Sequence, residues 1–407
     1  MNKMKECDDL KQPGTWMCRI LILCTLFLGC NRQAQITDGE AEFYTIDFGQ
    51  CIKTERPMLM SEIADTVEYL ELKTPYDIII SKIGKVIIWE DYIIIKVTYK
   101  DIYLFQRNGQ FVRKIGSMGQ GPGEYTGIND IVVSPSKKEI IVAAFGSQLL
   151  FYDLEGNYLY KKEWGSFFSM GISDSTLWCG NLSDNTEKFL AFAVSLNGDG
   201  DTIASIYNRH FGVKSMNSTR RIATSRIIDL FYDNDGTLFF RGLESNDTIW
   251  KLSGTMTAPY AFIDMGKYKL PVEYEPWYSM DAFKQFGSGY WSIPSVAEDE
   301  RYFYLHSVER GLSDNQVKCI VYDKKARKGF VAKNKDEVAI TDDILGGPSI
   351  WPRWITDEYY INVVEGYDLL EELEEGDFSP SEPFKKQLAG IGEDTNQLII
   401  LCHRKKK

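Results

Sequence analysis

Apolar positions in this chain fall in short runs separated by turn residues, and helical spacing is absent until late in the sequence. VEYLEL (Val67–Leu72), KVIIWED (Lys85–Asp91), YIIIKV (Tyr92–Val97) and DIYLFQ (Asp101–Gln106) are rich in β-branched and aromatic residues. Gly, Asp, Asn or Lys bounds most of them, a combination that predicts strands.

The runs repeat. IYLFQRNGQFVRKIG (Ile102–Gly116) can be laid over QLLFYDLEGNYLYKKEW (Gln148–Trp164), each an apolar strand, a glycine turn and a second strand led by Phe111 or Tyr158. The two turn glycines, Gly109 and Gly156, are 47 positions apart (156 − 109). That interval suits a four-stranded propeller blade better than a helical repeat. Echoes of the unit follow at Ala191–Tyr207, Leu230–Gly254 and Asp299–Ala332. A last unit, DEYYINVV (Asp357–Val364) with QLIILCH (Gln397–His403), is incomplete, and the orphan strand VEYLEL could supply what it lacks. The expected fold is therefore all-β: a six-bladed β-propeller of four-stranded antiparallel blades, its ring closed by N- and C-terminal strands. Closure of this kind removes sheet edges that would otherwise template aggregation.

Two segments interrupt the rhythm. The first is Lys267–Ser295, before the fifth unit. The second is Glu365–Ile391, where Leu369, Leu370 and Leu373 recur at helical spacing with acids on the other face. It reads as a small amphipathic helical insertion packed on the ring rather than a coiled coil or a partner surface. The domain plan is then a signal peptide over 1–29, a lipidated tether over 30–42, and one propeller domain over 43–407 with insertions 267–295 and 365–391.

The signal assignment rests on Arg19 followed by ILILCTLFLGC (Ile20–Cys30). The run is too short to cross a bilayer, which takes about 20 residues, but a basic residue, a short apolar run and a small residue describe a secretory signal. Gly29-Cys30 resembles a lipobox with Cys30 as the lipidation site, although Phe27 stands where Leu is usual. Met1–Trp16 is long for the leading region and carries Glu6, Asp8 and Asp9, so Met17 makes the better start. Without residues 1–29 the cysteines are Cys30, Cys51, Cys179, Cys319 and Cys402, too scattered for a zinc site. Buried free thiols are the expectation for the last four.

Composition narrows the function. A net charge of −12, with His403–Lys407 as the sole basic run, argues against nucleic acid. The lipid on Cys30 is the one membrane attachment expected, which places the protein in the cell envelope, on the outer membrane.

Four segments carry a family resemblance: KIGSMGQGPGEY, SNDTIWKL, GGPSIWPRW and EDTNQLIILC. With them the chain resembles the six-bladed β-propeller lipoproteins of Gram-negative gut-type bacteria, from about Val67 to Cys402. The resemblance implies a fold and a lipoprotein address, and no established activity.

GQGPGEY (Gly119–Tyr125) is glycine-rich enough to suggest a phosphate cradle, but no Gly-Lys-Ser/Thr and no helix follows it. It instead links the outer strand of one unit to the inner strand of the next. GGPSIWPRW (Gly346–Trp354) and the insertion 267–295 occupy the matching positions before later units. If the three converge at one mouth of the channel, they gather Gln120, Glu124, Tyr125, Trp277, Tyr278, Trp291, Trp351, Arg353 and Trp354 as candidate ligand contacts. Glu124 could equally serve only to hold its own turn.

Catalytic patterns are weak. The histidines His210, His306 and His403 form no metal motif, there is no GxSxG elbow, and no metal or cofactor is expected. Asp199-Gly200-Asp201 and Asp233–Gly236 lack the downstream Glu of a calcium loop and read as hairpin turns. The sequence thus favours a non-catalytic ligand-binding or scaffolding protein, with a small molecule or glycan as ligand. One alternative is a carbohydrate-active hydrolase or lyase using loop carboxylates such as Glu124, Glu273, Glu275 or Asp281. The other is a protein–protein interaction module.

Overall fold

Alternation along single strands explains the architecture. In Tyr92–Val97, Ile93, Ile95 and Val97 enter one apolar cluster while Ile94 enters the next. In Glu139–Ala144, Ile140 and Val142 point one way, Ile141 and Ala143 the other. These inner strands are therefore buried on both faces, which is why they read as continuous apolar runs, whereas an outer strand such as Tyr158–Glu163 alternates between half-buried and exposed.

The computed structural model describes residues 42–165, 167–181, 187–213, 230–234, 236–242, 247–271, 289–309, 316–376, 378–392 and 395–405. Its strands form six small antiparallel blades in a ring, a β-propeller. From axis to rim, the first blade is Ile83–Trp89, Tyr92–Val97, Ile102–Gln106 and Phe111–Lys114. The second is Ile128–Ser134, Glu139–Ala144, Gln148–Tyr152 and Tyr158–Glu163. The third is Ser169–Ser173, Thr176–Gly180, Phe189–Ser195 and Thr202–Tyr207. The fourth and fifth begin at Phe231–Asn234 and Trp291–Glu298 and end at Met256–Asp264 and Lys328–Ala332.

The sixth blade closes the ring as expected. Trp354–Ile355, Tyr359–Val364 and Leu398–Arg404 are completed by the N-terminal strand Ala64–Glu71, in the register Leu398↔Glu71, Ile400↔Tyr69 and Cys402↔Val67. Two further strands were not announced by periodicity. Tyr44–Asp47 adds in parallel to the rim of the fourth blade, and Glu55–Arg56 to that of the fifth. The N-terminal chain thus runs along the rims of the fourth, fifth and sixth blades in turn.

The core is divided among the seams between blades. Leu70, Ile361, Ile399 and Leu401 meet Ile93, Ile95 and Phe105 at the sixth-to-first seam. Each such side chain, taken from water to full burial, contributes about 1.5–3 kcal/mol. The insertion between the second and third strands of the sixth blade forms two helices, Gly366–Glu375 and Glu382–Leu388. Gly376, in the left-handed conformation, ends the first, and the Ser381 hydroxyl caps the second. Leu369, Phe384 and Leu388 are buried in the fifth-to-sixth seam, while Glu371, Glu374 and Glu375 face solvent. Cys51, Cys179, Cys319 and Cys402 are buried free thiols, and burial raises Cys51 and Cys319 to about 12.

Two polar networks bridge the later blades. The Glu298 carboxylate, fully buried, pairs with Lys324 at 2.5 Å and accepts from Tyr232 (2.8 Å) and Tyr260 (2.7 Å) of the fourth blade. Next to it, Asp299 accepts from the hydroxyls of Tyr304 (2.8 Å) and Tyr360 (2.7 Å), tying the fifth blade to the sixth.

Candidate functional site

In an antiparallel blade entered at its innermost strand, the turn between the second and third strands lies at the same ring end as the link to the next blade. Residues 98–101 and 145–147, the link 115–127 and the link 333–353 therefore share one end of the ring. Contacts join them directly: the Ile128 amide donates to the Tyr99 carbonyl (3.3 Å), and the Phe145 amide to Gly127 (2.9 Å).

The link 115–127 closes on itself. Ser117–Met118 pairs in parallel with Glu124–Tyr125. Glu124 accepts from the Gly121 amide at 2.8 Å and from the Ser117 hydroxyl at 3.5 Å. The glycines are there for space: a Cβ on Gly119 would come 2.0 Å from Glu124 Oε2, and one on Gly123 (φ +75°) 2.6 Å from Tyr158. Tyr125 is buried in the first-to-second seam and donates to the Ile115 carbonyl at 3.1 Å, and burial raises its hydroxyl pKa. Gln120 is exposed at the tip.

The other sequence-derived candidates go into different seams. Trp291 is buried between the fourth and fifth blades, its ring 5.8 Å from Phe48. Trp351 packs partly buried on the fifth-to-sixth seam, edge-on to Tyr304 at 5.8 Å. Trp354 sits in the sixth-to-first seam beneath Arg353, whose guanidinium lies 4.2 Å from its ring and donates to the Gly84 carbonyl at 3.0 Å. Trp277 and Tyr278 lie outside the described residues, as do Glu273, Glu275, Asp281 and Cys30.

What the shared end presents instead is a group that sequence reasoning missed. The rings of Tyr99 and Phe145 are 6.0 Å apart and 45% and 41% exposed, and Phe168 and Met118 are similarly exposed at the same end. Tyr99 takes φ 61° in its turn, as Ser147 does (φ 66°) in the matching turn of the second blade. Two residues along from Ile128, Asp130 accepts from Lys85 (2.9 Å), from the Met170 amide (2.8 Å) and from the Ser169 hydroxyl (3.2 Å). One carboxylate thus joins the innermost strands of the first, second and third blades. Lys85 and Asp130 are each embedded in an apolar strand, the one available signal, and nothing local in the sequence shows that they meet.

The arrangement can stack a ring or an apolar group on Tyr99 and Phe145, while the buried Asp130 network holds the innermost strands of three blades together. Among the described residues, no group of three His, Cys, Asp or Glu side chains is placed to hold a metal ion.

One solved structure shares this fold. A crystal structure of a Bacteroides fragilis protein named as exported superposes with a TM-score of 0.67 at 18% identity, covering 89% of this chain and 99% of the other. BamB from Moraxella catarrhalis gives 0.38 at 12% identity over 66% of each chain, and the RRP9 WD40 repeats give 0.42 at 9% over 86% and 99%. No curated protein matches the sequence. Residues 43–403 match a single family over nearly the whole propeller, and the chain belongs to that family, described as a domain of unknown function, DUF4934.

Proposed function

We propose that this protein is a non-catalytic, lipid-anchored propeller of the cell envelope that binds a small molecule or glycan at the ring end carrying Tyr99 and Phe145. The exposed ring pair, with Tyr99 kept at φ 61°, carries this reading. Gln120, exposed on the connection 115–127 at the same end, is the sequence-derived candidate that could extend the contact.

A thermal-shift panel of glycans and envelope metabolites tests it, because binding to the folded state raises the midpoint by linkage. Tyr99→Gly should keep the unliganded stability within about 1 kcal/mol, since glycine relieves the backbone, yet abolish the ligand-induced rise. Phe145→Ala should abolish it too. A rise that persists in both variants would refute the site.

The anchor is proposed from the short apolar run ending in Gly29-Cys30. No helix among the described residues is long and apolar enough to cross a membrane. Cys30→Ser should move the protein from the membrane pellet to the soluble fraction, and unchanged fractionation would exclude lipidation there.

A further inference from the structure

One cleft lies nearer the rim than Tyr99 and Phe145, on the seam between the second and third blades. It opens between the end of the second blade's outer strand and the two outer strands of the third blade, with a volume of about 500 Å³. That is within the roughly 300–1,000 Å³ of small-molecule sites. Trp164, Phe189 and Phe192 give it an aromatic lining, and Asp199, Asp201 and Lys188 are polar groups on its walls.

Trp164 is held in place. The Lys162 ammonium sits 4.6 Å from its ring and donates to the carbonyls of Leu196 (3.2 Å) and Gly198 (2.8 Å) in the facing turn. The same turn presses Gly200 on the indole: a Cβ there would come 2.2 Å from Trp164 Nε1, and φ is +100°. The Asp-Gly-Asp turn thus docks this tryptophan through Gly200 and puts Asp199 and Asp201 on the wall of the same cleft. An aromatic fixed before binding loses little freedom when a ligand arrives.

We infer that this cleft binds a saccharide, with a C–H face of the sugar ring on the aromatic lining and its hydroxyl or amino groups donating to Asp199 and Asp201. Ionised carboxylates only accept hydrogen bonds, so they select a ligand rich in donors. Glu163, paired with Lys161 at 3.1 Å, and Glu187 also line the cleft, and its four carboxylates still outnumber the ammoniums of Lys161, Lys162 and Lys188, which disfavours sugars that carry carboxylates of their own.

The experiment is calorimetric titration of the full-length protein with neutral oligoglucosides, glucosamine oligomers and oligogalacturonides. Binding of the neutral or amino sugars is expected, with oligogalacturonides at least tenfold weaker. Asp201→Asn, an exposed change that disturbs no packing, should weaken binding by about threefold or more, and Trp164→Ala by about tenfold or more. Phe145→Ala should leave it unchanged. Absence of saccharide binding, equal binding of oligogalacturonides, or binding indifferent to both Asp201→Asn and Trp164→Ala would each overturn the inference. Loss of binding in Phe145→Ala alone would assign the sugar to the mouth and overturn it as well.

Discussion

Lys324→Met should destabilise the propeller by about 3–5 kcal/mol, the usual consequence of removing one partner from a buried ion pair. The Glu298 side chain has no solvent exposure, and Lys324 is 6% exposed. The lysine also donates to the Asp299 carbonyl at 2.6 Å and lies 4.6 Å from the Phe303 ring. Methionine keeps most of the stem and removes the charge. Glu298 would then keep its tyrosine donors but no countercharge in an apolar seam. Against a typical total stability of about 5–15 kcal/mol, that is a large fraction. Equilibrium unfolding in urea measures it. The double variant Glu298→Gln/Lys324→Met should recover much of the loss, because no lone charge stays buried. A single-variant loss below about 1 kcal/mol would show that the pair is effectively hydrated.

The second large effect concerns closure. A chain beginning at residue 73 lacks Ala64–Glu71, leaving the outer side of Leu398–Arg404 unpaired, a strand of LIILC followed by His and Arg. It also uncovers the rims of the fourth and fifth blades. Apolar open edges template association, so this chain should appear in size-exclusion chromatography as aggregate. A chain nicked at Tyr76, which is fully exposed, should behave differently. Its two pieces should co-elute as one folded species and separate only in denaturant, since the nick breaks no strand pairing. A monomeric, folded chain from residue 73 would show that closure by the N-terminal strand is dispensable.

How much of this was legible in the sequence differs from feature to feature. VEYLEL was readable as the missing strand because it is long, apolar and without a neighbour to pair with. Tyr44–Asp47 and Glu55–Arg56 were not, since strands so short have no measurable period. Leu369 and Leu373 gave the helix, because helical spacing stands out in an otherwise β pattern. The tryptophans misdirect for a physical reason: where each blade is buried on both faces, a seam and a channel mouth ask for the same side chains, so Trp291 and Trp351 look alike on paper whichever they serve. Tyr99 escapes because a positive φ at tyrosine leaves no trace in composition. Lys85 and Asp130 are 45 positions apart (130 − 85), beyond any local pattern.

The pairing Leu398↔Glu71 that completes the sixth blade joins residues 327 positions apart (398 − 71). On a ribosome or an export channel the rim strand is therefore made early and paired last. Pairings this distant in sequence form slowly, and strand edges left open meanwhile are prone to association. Once Lys328–Ala332 has been made the chain holds five blades, the four seams between them and one vacancy, so its vulnerable interval is set by the time taken to deliver the final strand, Leu398–Arg404.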